Sequence, residues 1–282
     1  MQLKQALSSA IDQLTAAGVG SPRMNAELLI MFTLNCDRAY LYAHPEREFN
    51  NEEKRRYADV IKQRSRGIPA QYITGHQEFW GMDLIVSPAV LIPRPETEHV
   101  IETVLRLVKE REMPLRIVDV GTGSGCIALA LAKELPTSEI HATEISPAAL
   151  EIAHANAARH QLERRIHFRE ADLLAGLPPT SFDFVVSNPP YVGESDEDQV
   201  QLEVRKFEPH PAVFAGPAGT EVIERLIAAA QSVLKPGAWL VFEISGTISD
   251  RVRELLSGWS SIQIADDLQG IPRVAAAQKP MS

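Results

Sequence analysis

The first 75 residues carry their apolar side chains at the spacing of amphipathic helices. One stripe runs along the first segment and comprises Leu3, Ala6, Leu7, Ala10, Ile11 and Leu14. Ser21-Pro22 predicts the start of a second helix, a third is expected around Leu41, and Asn50 with Glu53 resembles the capping box of a fourth. The pattern predicts a small all-helical N-terminal domain over residues 1–75.

The pattern changes between residues 76 and 92. Two short apolar runs, from Glu78 to Val86, flank Gly81, and this arrangement is typical of a β-hairpin. We therefore predict a hairpin linker over residues 76–92, with a second domain from residue 93 to residue 282.

In the second domain, short β-branched runs alternate with helical segments. The segments predicted as strands lie near 116–120, 140–144, 166–169, 184–188, 238–243, 262–264 and 274–277. Seven strands with helices on both faces predict a doubly wound α/β sheet. Ligands of such sheets bind outside the carboxyl ends of the strands, so side chains at those ends are the candidate site residues.

Composition narrows the class of protein. An apolar fraction of 45% and a charged fraction of 23% are ordinary for a globular chain. No apolar run reaches the roughly 18 residues that a membrane span needs, and the N-terminus does not resemble a signal peptide. We predict a cytoplasmic protein that contacts no membrane. Cys36 and Cys126 lie in apolar helical contexts without the spacing of a metal site, so buried free thiols are predicted rather than a disulfide or a ligand pair.

Charge is divided unevenly between the two parts. Residues 1–75 carry ten Lys/Arg against eight Asp/Glu, a net +2, whereas residues 76–282 carry 18 against 29, a net −11. The basic side chains of the fourth helix form either a solvated face or a partner surface, and the first is the simpler interpretation. These side chains are Lys54, Arg55, Arg56, Lys62, Arg64 and Arg66.

A glycine-rich segment follows the first strand of the second domain. It comprises Asp119, Gly121, Thr122, Gly123, Ser124 and Gly125, and it leads into a helix at Cys126. Strand, glycine turn and helix form a nucleotide-binding unit, and Glu144 stands where such units place a carboxylate for ribose hydroxyls. The glycines do not fit the dinucleotide spacing, and Asp119 would repel a pyrophosphate but attract an ammonium group. S-Adenosylmethionine is therefore favoured over NAD(P), and a glycine turn without a ligand is the remaining alternative.

Asn188-Pro189-Pro190-Tyr191 ends a later strand and carries the second candidate chemistry. The two prolines hold the backbone extended. The Asn188 side-chain oxygen and the Pro189 carbonyl are two acceptors that suit a planar NH2 group, and Tyr191 offers a face for stacking. The alternative is that the prolines only punctuate a loop. The segment predicts binding of an amide or of an exocyclic amine.

Two further segments are weaker candidates. Asp172 and Leu173 follow another strand, where the carboxylate would accept the adenine amine and Leu173 would pack on the ring; a simple turn is the alternative. Before the helix predicted from Val100 to Val108, Thr97 or Glu96 could act as the cap. The same segment is either a proline-stiffened helix entry or a place where Arg94 and Glu96 face the crevice.

These motifs together resemble those of the peptide chain release factor N5-glutamine methyltransferases over essentially the whole chain. The matching segments are Pro93–Glu98, Asp119–Gly125, Ser187–Tyr191, Phe207–Pro209 and Gly270 with Arg273. The resemblance implies a Rossmann-like methyltransferase sheet whose seventh strand is inserted antiparallel, S-adenosylmethionine as cofactor without a metal, and class I release factors as partners, recognised through the N-terminal domain.

The resemblance also implies how the site works. Methyl transfer goes to N5 of the glutamine in a Gly-Gly-Gln motif and tunes translation termination; Asn188, Pro189 and Tyr191 are the expected catalytic residues, with Pro190, Arg94 and Glu96 at the substrate. Two departures concern the cofactor: Glu144 replaces the family's usual aspartate, and Ser245-Gly246 follows Glu243-Ile244 where the family tends to have glycine and then glutamine.

Three rival functions use the same motifs. A ribosomal-protein glutamine methyltransferase and a nucleic-acid adenine-N6 methyltransferase would both need a planar NH2 acceptor site. The acidic balance of the second domain argues against direct nucleic-acid binding. A non-catalytic module that binds the cofactor and a protein partner is the third.

Overall fold

A computed structural model describes residues 1–281. The chain forms two compact units. The helical unit consists of Met1–His76 together with Gln201–Phe207, and the sheet unit consists of Gln77–Val200 together with the chain from Glu208 onward. The N-terminal domain boundary predicted at residue 75 lies one residue from this division, while the return of Gln201–Phe207 to the helical unit was not predicted.

The helical unit contains six helices within the described residues. They are α1 (Leu3–Ala16), α2 (Pro22–Leu34), α3 (Arg38–Ala43), α4 (Asn51–Ser65), α5 (Ala70–Thr74) and, much later in the chain, α9 (Leu202–Phe207). The predicted capping box of α4 is confirmed, since Asn50 Oδ1 accepts from the Glu53 amide and the Glu53 carboxylate accepts from the Asn50 amide. Leu14, Leu29 and Ile30 are fully buried between the helices.

Arg64 departs from the predicted solvated face of α4. Its side chain is 6% exposed, and its guanidinium donates to Asn25 Oδ1, the Ile68 carbonyl and Glu203 Oε2 at 2.7, 3.1 and 2.7 Å. The prediction that this arginine belongs to a solvated face is therefore wrong. Three acceptors, of which Asn25 and Glu203 are distant in the sequence, compensate the burial of its charge.

Where the hairpin was predicted, β1 (His76–Phe79) and β2 (Met82–Ile85) form a two-stranded sheet. Asn156, fully buried on a later helix, fastens this segment to the glycine-rich turn. It accepts from the Ile85 amide and donates to the carbonyls of Ile85 and Ser124. The linker therefore contributes to the support of the candidate site.

The main sheet has seven strands, as predicted. They are β3 (Arg116–Val120), β4 (Glu139–Glu144), β5 (Ile166–Glu170), β6 (Phe182–Ser187), β9 (Leu234–Glu243), β10 (Ser260–Asp266) and β11 (Pro272–Gln278). The order is β10-β11-β9-β6-β3-β4-β5, with a separate short pair of β7 (Val192–Gly193) and β8 (Phe214–Gly216). Strand β11 is antiparallel to both neighbours, so the inserted antiparallel strand is confirmed.

Helices cover both faces of the main sheet, which confirms the doubly wound α/β class. They are α6 (Glu98–Leu107), α7 (Cys126–Glu134), α8 (Pro147–Arg159), α11 (Glu221–Val233) and α12 (Ser249–Leu255), while the short α10 (His210–Val213) contacts β8. Central strands are apolar along their length because helices bury both of their faces. Val118 and Val185, paired in parallel register, are both fully buried.

Three smaller expectations can be compared with the structure. Thr97 occupies the N-cap position of α6, as one of the two predicted candidates, but its side chain makes no capping hydrogen bond, because its hydroxyl has another partner, described below. Both cysteines are free as predicted, but each is half-buried. Within residues 1–281, no helix combines the length and apolar character that crossing a membrane requires, and no cluster of His, Cys, Asp or Glu could hold a metal ion.

Candidate active site

A cavity of about 710 Å³ lies at the carboxyl ends of β3, β4 and β6 in the sheet unit. Three segments of the chain supply most of its polar lining, namely the glycine-rich turn, the residues after β4 and the residues after β6. The predicted site residues that line it are Gly121, Thr122, Gly123, Ser124, Glu144, Asp172, Leu173, Asn188, Pro189 and Pro190. The cavity lies where parallel α/β sheets bind their ligands.

Backbone conformation explains the glycines of the turn. Gly121, Gly123 and Gly125 have φ of 68°, 54° and 85°, in the left-handed region where a side chain is strained. At Gly125 there is a second constraint, since a Cβ there would lie 3.3 Å from Leu129 Cδ1 and 3.4 Å from Ala153 Cβ. The first two glycines shape the cavity wall, and the third lets α7 and α8 pack closely.

The Asp119 carboxylate lies beneath the turn and is completely buried, outside the cavity lining. Its Oδ2 accepts from the Thr122 hydroxyl at 2.6 Å and from the Ala128 amide at 3.1 Å, while Oδ1 has no hydrogen-bond partner among the described residues. Burial raises the pKa of Asp119 to about 7, opposed by these two hydrogen bonds. One carboxylate oxygen therefore organises the turn and the other is left unsatisfied.

Glu144 lines the cavity and also fastens the turn. Its Oε2 accepts from the Gly123 amide at 3.0 Å, and its Oε1 accepts from the amides of Ile145 and Ser146 at 2.8 and 3.0 Å. One amide of the glycine-rich turn and two amides directly after β4 therefore share this carboxylate. The side chain thus joins the end of β4 to the turn after β3.

Asp172 and Leu173 lie together at another part of the wall. Asp172 Oδ2 accepts from Arg225 Nη2 at 2.5 Å, and Arg225, on α11, lines the cavity too. Both side chains are about half exposed, at 50% and 57%. Leu173 has a φ of 51°, which turns the chain sharply after the acid.

Asn188 and Thr97, which both line the cavity, begin a hydrogen-bonded chain that leads away from it to Glu243. Its Nδ2 donates to Thr97 Oγ1 at 3.0 Å, and the Thr97 hydroxyl donates to Glu243 Oε2 at 2.6 Å. The Tyr191 hydroxyl donates to Glu243 Oε1 at 3.0 Å. Thr97 and Glu243 are both 1% exposed, so the chain of bonds is sealed from solvent on that side.

Burial also perturbs the two titratable groups of this network. It raises the pKa of Glu243, opposed by the hydrogen bonds from Thr97 and Tyr191 and by the nearby Arg273 charge. Burial and the Glu243 charge raise the pKa of Tyr191 well above its ordinary value. Tyr191 is thus a neutral hydrogen-bond donor at neutral pH.

Four further predicted residues do not line the cavity: Arg94, Glu96, Gly125 and Tyr191. Arg94 is held by the buried Glu208, whose carboxylate accepts from Arg94 Nη2 at 2.5 Å and from the Ile92 amide at 3.1 Å. The ring of Tyr191 packs on the apolar cluster of α11 and β9.

Sequence reasoning missed Thr97, Glu243 and Arg225 as site residues. Glu243 left a signal, because an acid that ends the apolar run from Ala238 to Phe242 is costly to bury without partners. Nothing in the sequence pointed to Thr97 or Arg225 as site residues. Their partners, Glu243 and Asp172, are 146 and 53 positions away in the chain.

Comparison with known proteins gives matches over both parts of the chain. Two family profiles match, the PrmC N-terminal domain over residues 5–75 and the methyltransferase small domain over residues 102–206. A release factor glutamine methyltransferase from Koribacter versatilis is 55% identical, and the match covers 100% of both chains. Another with that name, from Xylella fastidiosa, is 39% identical over 97% of this chain and 99% of its own.

Solved structures share the fold at low identity. The hMettl16 catalytic domain, crystallised with the MAT2A 3'UTR hairpin 6, has a TM-score of 0.59 at 18% identity, covering 79% of this chain and 82% of its own. A methyltransferase from Pyrococcus furiosus has a TM-score of 0.51 at 19% identity, covering 71% and 90%. At this identity the likeness concerns the fold alone.

Proposed function

Because the chain belongs to the family of release factor glutamine methyltransferases, we propose that it transfers a methyl group from S-adenosylmethionine to the side-chain amide nitrogen of a release factor glutamine. The acceptor is N5 of the glutamine in the Gly-Gly-Gln motif of class I release factors. The observation that carries the proposal is the orientation of Asn188, whose amide donates to Thr97 and so turns its oxygen toward an acceptor amide.

The cavity suits a nucleoside with an amino-acid tail. Its volume of about 710 Å³ lies within the range of pockets for small ligands. Gly121, Gly123 and Ser124 form a cradle that brings backbone close to the ligand, and Glu144 would accept from the ribose hydroxyls. Asp119 does not line the cavity, but its unsatisfied Oδ1 lies beneath the glycine-rich turn, where the ionised carboxylate would favour a positive group in the tail on the other side of the turn. Asp172 and Leu173 would contact the adenine.

The bound cofactor supplies a strongly electrophilic methyl group, so the protein's task concerns the acceptor. An amide nitrogen is a poor nucleophile because its lone pair is delocalised into the carbonyl. Asn188 Oδ1 and the Pro189 carbonyl would accept its two N–H groups, hold the nitrogen in line with the methyl and favour the charge that builds on nitrogen. The proton leaves readily once the nitrogen is cationic, so no strong general base is needed.

Methyl transfer from labelled cofactor to purified class I release factor tests the proposal. We expect label on the wild-type factor and none on a factor whose Gly-Gly-Gln glutamine is replaced by alanine. Label on both factors would contradict the assigned residue. Label on neither would direct the experiment to ribosomal protein and then to adenine-containing acceptors.

An Asn188→Ala variant tests the residue that carries the proposal. We expect transfer to fall at least about 100-fold, because one of two acceptors for the amide is lost. Cofactor affinity, measured by calorimetry, should change little, since the remainder of the cavity wall is intact. Unchanged turnover would remove Asn188 from the mechanism.

A further inference from the structure

Thr97 and Glu243 lie directly behind Asn188, and neither belongs to the Asn-Pro-Pro-Tyr segment. Asn188 directly follows β6, Glu243 ends β9, and Thr97 ends the short turn Pro95–Thr97 before α6. Strands β6 and β9 are paired in parallel, with Ser187 opposite Phe242. The sheet therefore fixes the distance between Asn188 and Glu243, and Thr97 fills the gap between them.

The direction of each hydrogen bond follows from the chemistry of the groups. An ionised Glu243 carboxylate accepts hydrogen bonds and donates none. The single hydrogen of the Thr97 hydroxyl, 2.6 Å from Glu243 Oε2, must therefore point at Glu243. Only lone pairs of Thr97 then face Asn188, so the atom that lies 3.0 Å from Thr97 Oγ1 must be the Asn188 NH2 group.

The same reasoning determines which atoms of Asn188 and Tyr191 are available to hydrogen-bond with the substrate amide. With its NH2 group engaged by Thr97, Asn188 turns Oδ1 toward the substrate. The Tyr191 hydrogen is used on Glu243 Oε1, at 3.0 Å. The side chains around Asn188 thus offer hydrogen-bond acceptors to a substrate. This part of the site therefore suits a substrate group with N–H donors.

We propose that Thr97 and Glu243 are positioning residues that lock the Asn188 amide with its oxygen toward the acceptor nitrogen, and that this lock makes the site select an amide NH2 over a carboxylate. The inference rests on the proposed function, since it concerns how the same site distinguishes glutamine from glutamate. A glutamine side chain supplies two N–H donors to this part of the site, whereas a glutamate carboxylate supplies none and faces lone pairs. Sites built around such hydrogen bonds reject the mismatched group strongly.

Threonine variants separate positioning from packing. Thr97→Val keeps the shape and removes the hydroxyl, and Thr97→Ser keeps the hydroxyl. We expect Thr97→Val to lower kcat about 10- to 100-fold, with cofactor affinity unchanged, and Thr97→Ser to restore most of the rate. Equal loss in both variants, or no loss in Thr97→Val, would overturn the inference.

A double variant tests whether Thr97 acts through Asn188. If it does, Thr97→Val adds no further loss in the Asn188→Ala background, because there is no amide left to orient. Independent effects that multiply in the double variant would show that Thr97 acts elsewhere.

Glutamate substitution tests the lock from its other end. Glu243→Gln can still present its oxygen to Thr97, so we expect at least about a tenth of the wild-type rate. Glu243→Met offers only a weak thioether acceptor, and we expect it to resemble Thr97→Val. The reverse order of the two variants would contradict the inference.

A measurement without turnover separates this inference from the proposed function. The side-chain NH2 resonances of Asn188, assigned by their loss in Asn188→Ala, should exchange slowly with water in the wild type and at least about tenfold faster in Thr97→Val. Equal exchange would overturn the lock even if release factor is methylated. Slow wild-type exchange with no methylation of any release factor would instead overturn the proposed function alone.

Discussion

Asp172 Oδ2 accepts a hydrogen bond from Arg225 Nη2 at 2.5 Å, at the rim of the cavity where adenine is expected. The ion pair joins the segment after β5 to α11, 53 positions later. Because both side chains are about half exposed, at 50% and 57%, solvent screens much of their attraction. The pair therefore orients Asp172 more than it stabilises the fold.

Substitution of Asp172 or of Arg225 should distinguish a contact with the cofactor from a contribution to the stability of the fold. We expect Asp172→Ala to raise the Kd for S-adenosylmethionine about 5- to 20-fold through loss of the acceptor for the adenine amine. Arg225→Met keeps the apolar stem and should raise it less than about threefold. Calorimetric titration of both variants checks this, with thermal unfolding as the control for stability. A larger effect of Arg225→Met would assign the adenine contact to Arg225.

The buried Asp119 should make stability depend on pH. Its folded pKa of about 7 lies above the ordinary value of 3.8, so between these values the folded protein binds more protons than the unfolded chain. The contribution of Asp119 to stability therefore falls as pH rises from about 4 to about 7. Asp119→Asn keeps an acceptor for Thr122 and Ala128 but does not titrate.

Thermal unfolding of the ligand-free protein at pH 5 and pH 8 tests this. We expect the Tm of Asp119→Asn, relative to the wild type, to be higher at pH 8 than at pH 5 by on the order of 5 °C. A relative Tm that does not change with pH would mean that Asp119 titrates alike in the folded and unfolded chain. Cofactor affinity of the same variant reports whether the carboxylate also attracts the ammonium group.

Sequence reasoning succeeded where local chemistry decides the structure. The glycines at 121, 123 and 125 predict the turn because their φ values would strain any side chain. The capping box of Asn50 and Glu53 is predictable because both residues lie within one helical turn. The apolar runs of the parallel strands, buried on both faces, predict the sheet without knowledge of their neighbours.

It failed where a side chain is defined by a partner far away in the chain. Arg64 looks like one more basic residue of α4, and only the distant Asn25 and Glu203 explain its burial. Thr97 precedes a helix and looks like a capping residue. Its hydroxyl instead donates a hydrogen bond to Glu243, because a buried carboxylate needs donors. Such pairings depend on the tertiary fold, which periodicity does not specify.

Glu243 should give the reaction an acid limb in its pH profile. Burial raises its pKa above 4.5, and the groups that face it are Glu96, Arg273 and the Tyr191 hydroxyl. Once protonated, Glu243 can donate to Thr97. The Asn188 side-chain amide can then flip, so that its oxygen and its NH2 group exchange positions. We expect kcat to fall as pH drops through this raised pKa, and Glu243→Gln to lack that limb. A limb retained in Glu243→Gln would assign it to another group.

The buried Arg64 of α4 should be the most costly single charge to remove in the helical unit. Its guanidinium is compensated by Asn25, the Ile68 carbonyl and Glu203, and its side chain is 6% exposed. Arg64→Ala leaves these acceptors unsatisfied and opens a cavity, so we expect a loss of about 3–5 kcal/mol. Glu203→Gln should cost far less, because the Glu203 side chain is 34% exposed and glutamine still accepts from Arg64.

Hydrogen exchange of the backbone amides of α2 and α4, measured by mass spectrometry, resolves this effect from the unfolding of the sheet unit. The slowest amides of both helices should exchange at least about 100-fold faster in Arg64→Ala, because the free energy of local unfolding falls by several kcal/mol. Arg64→Met serves as the matched control, because it fills most of the volume without the charge; we expect it to lie between Arg64→Ala and the wild type. If Glu203→Gln accelerated exchange as much as Arg64→Ala, the contact with α9 would carry the stability and the hydrogen bonds to Asn25 and Ile68 would be secondary. The expected order, with Arg64→Ala far above Glu203→Gln, follows only if the arginine is held mainly by the more buried acceptors, Asn25 and the Ile68 carbonyl.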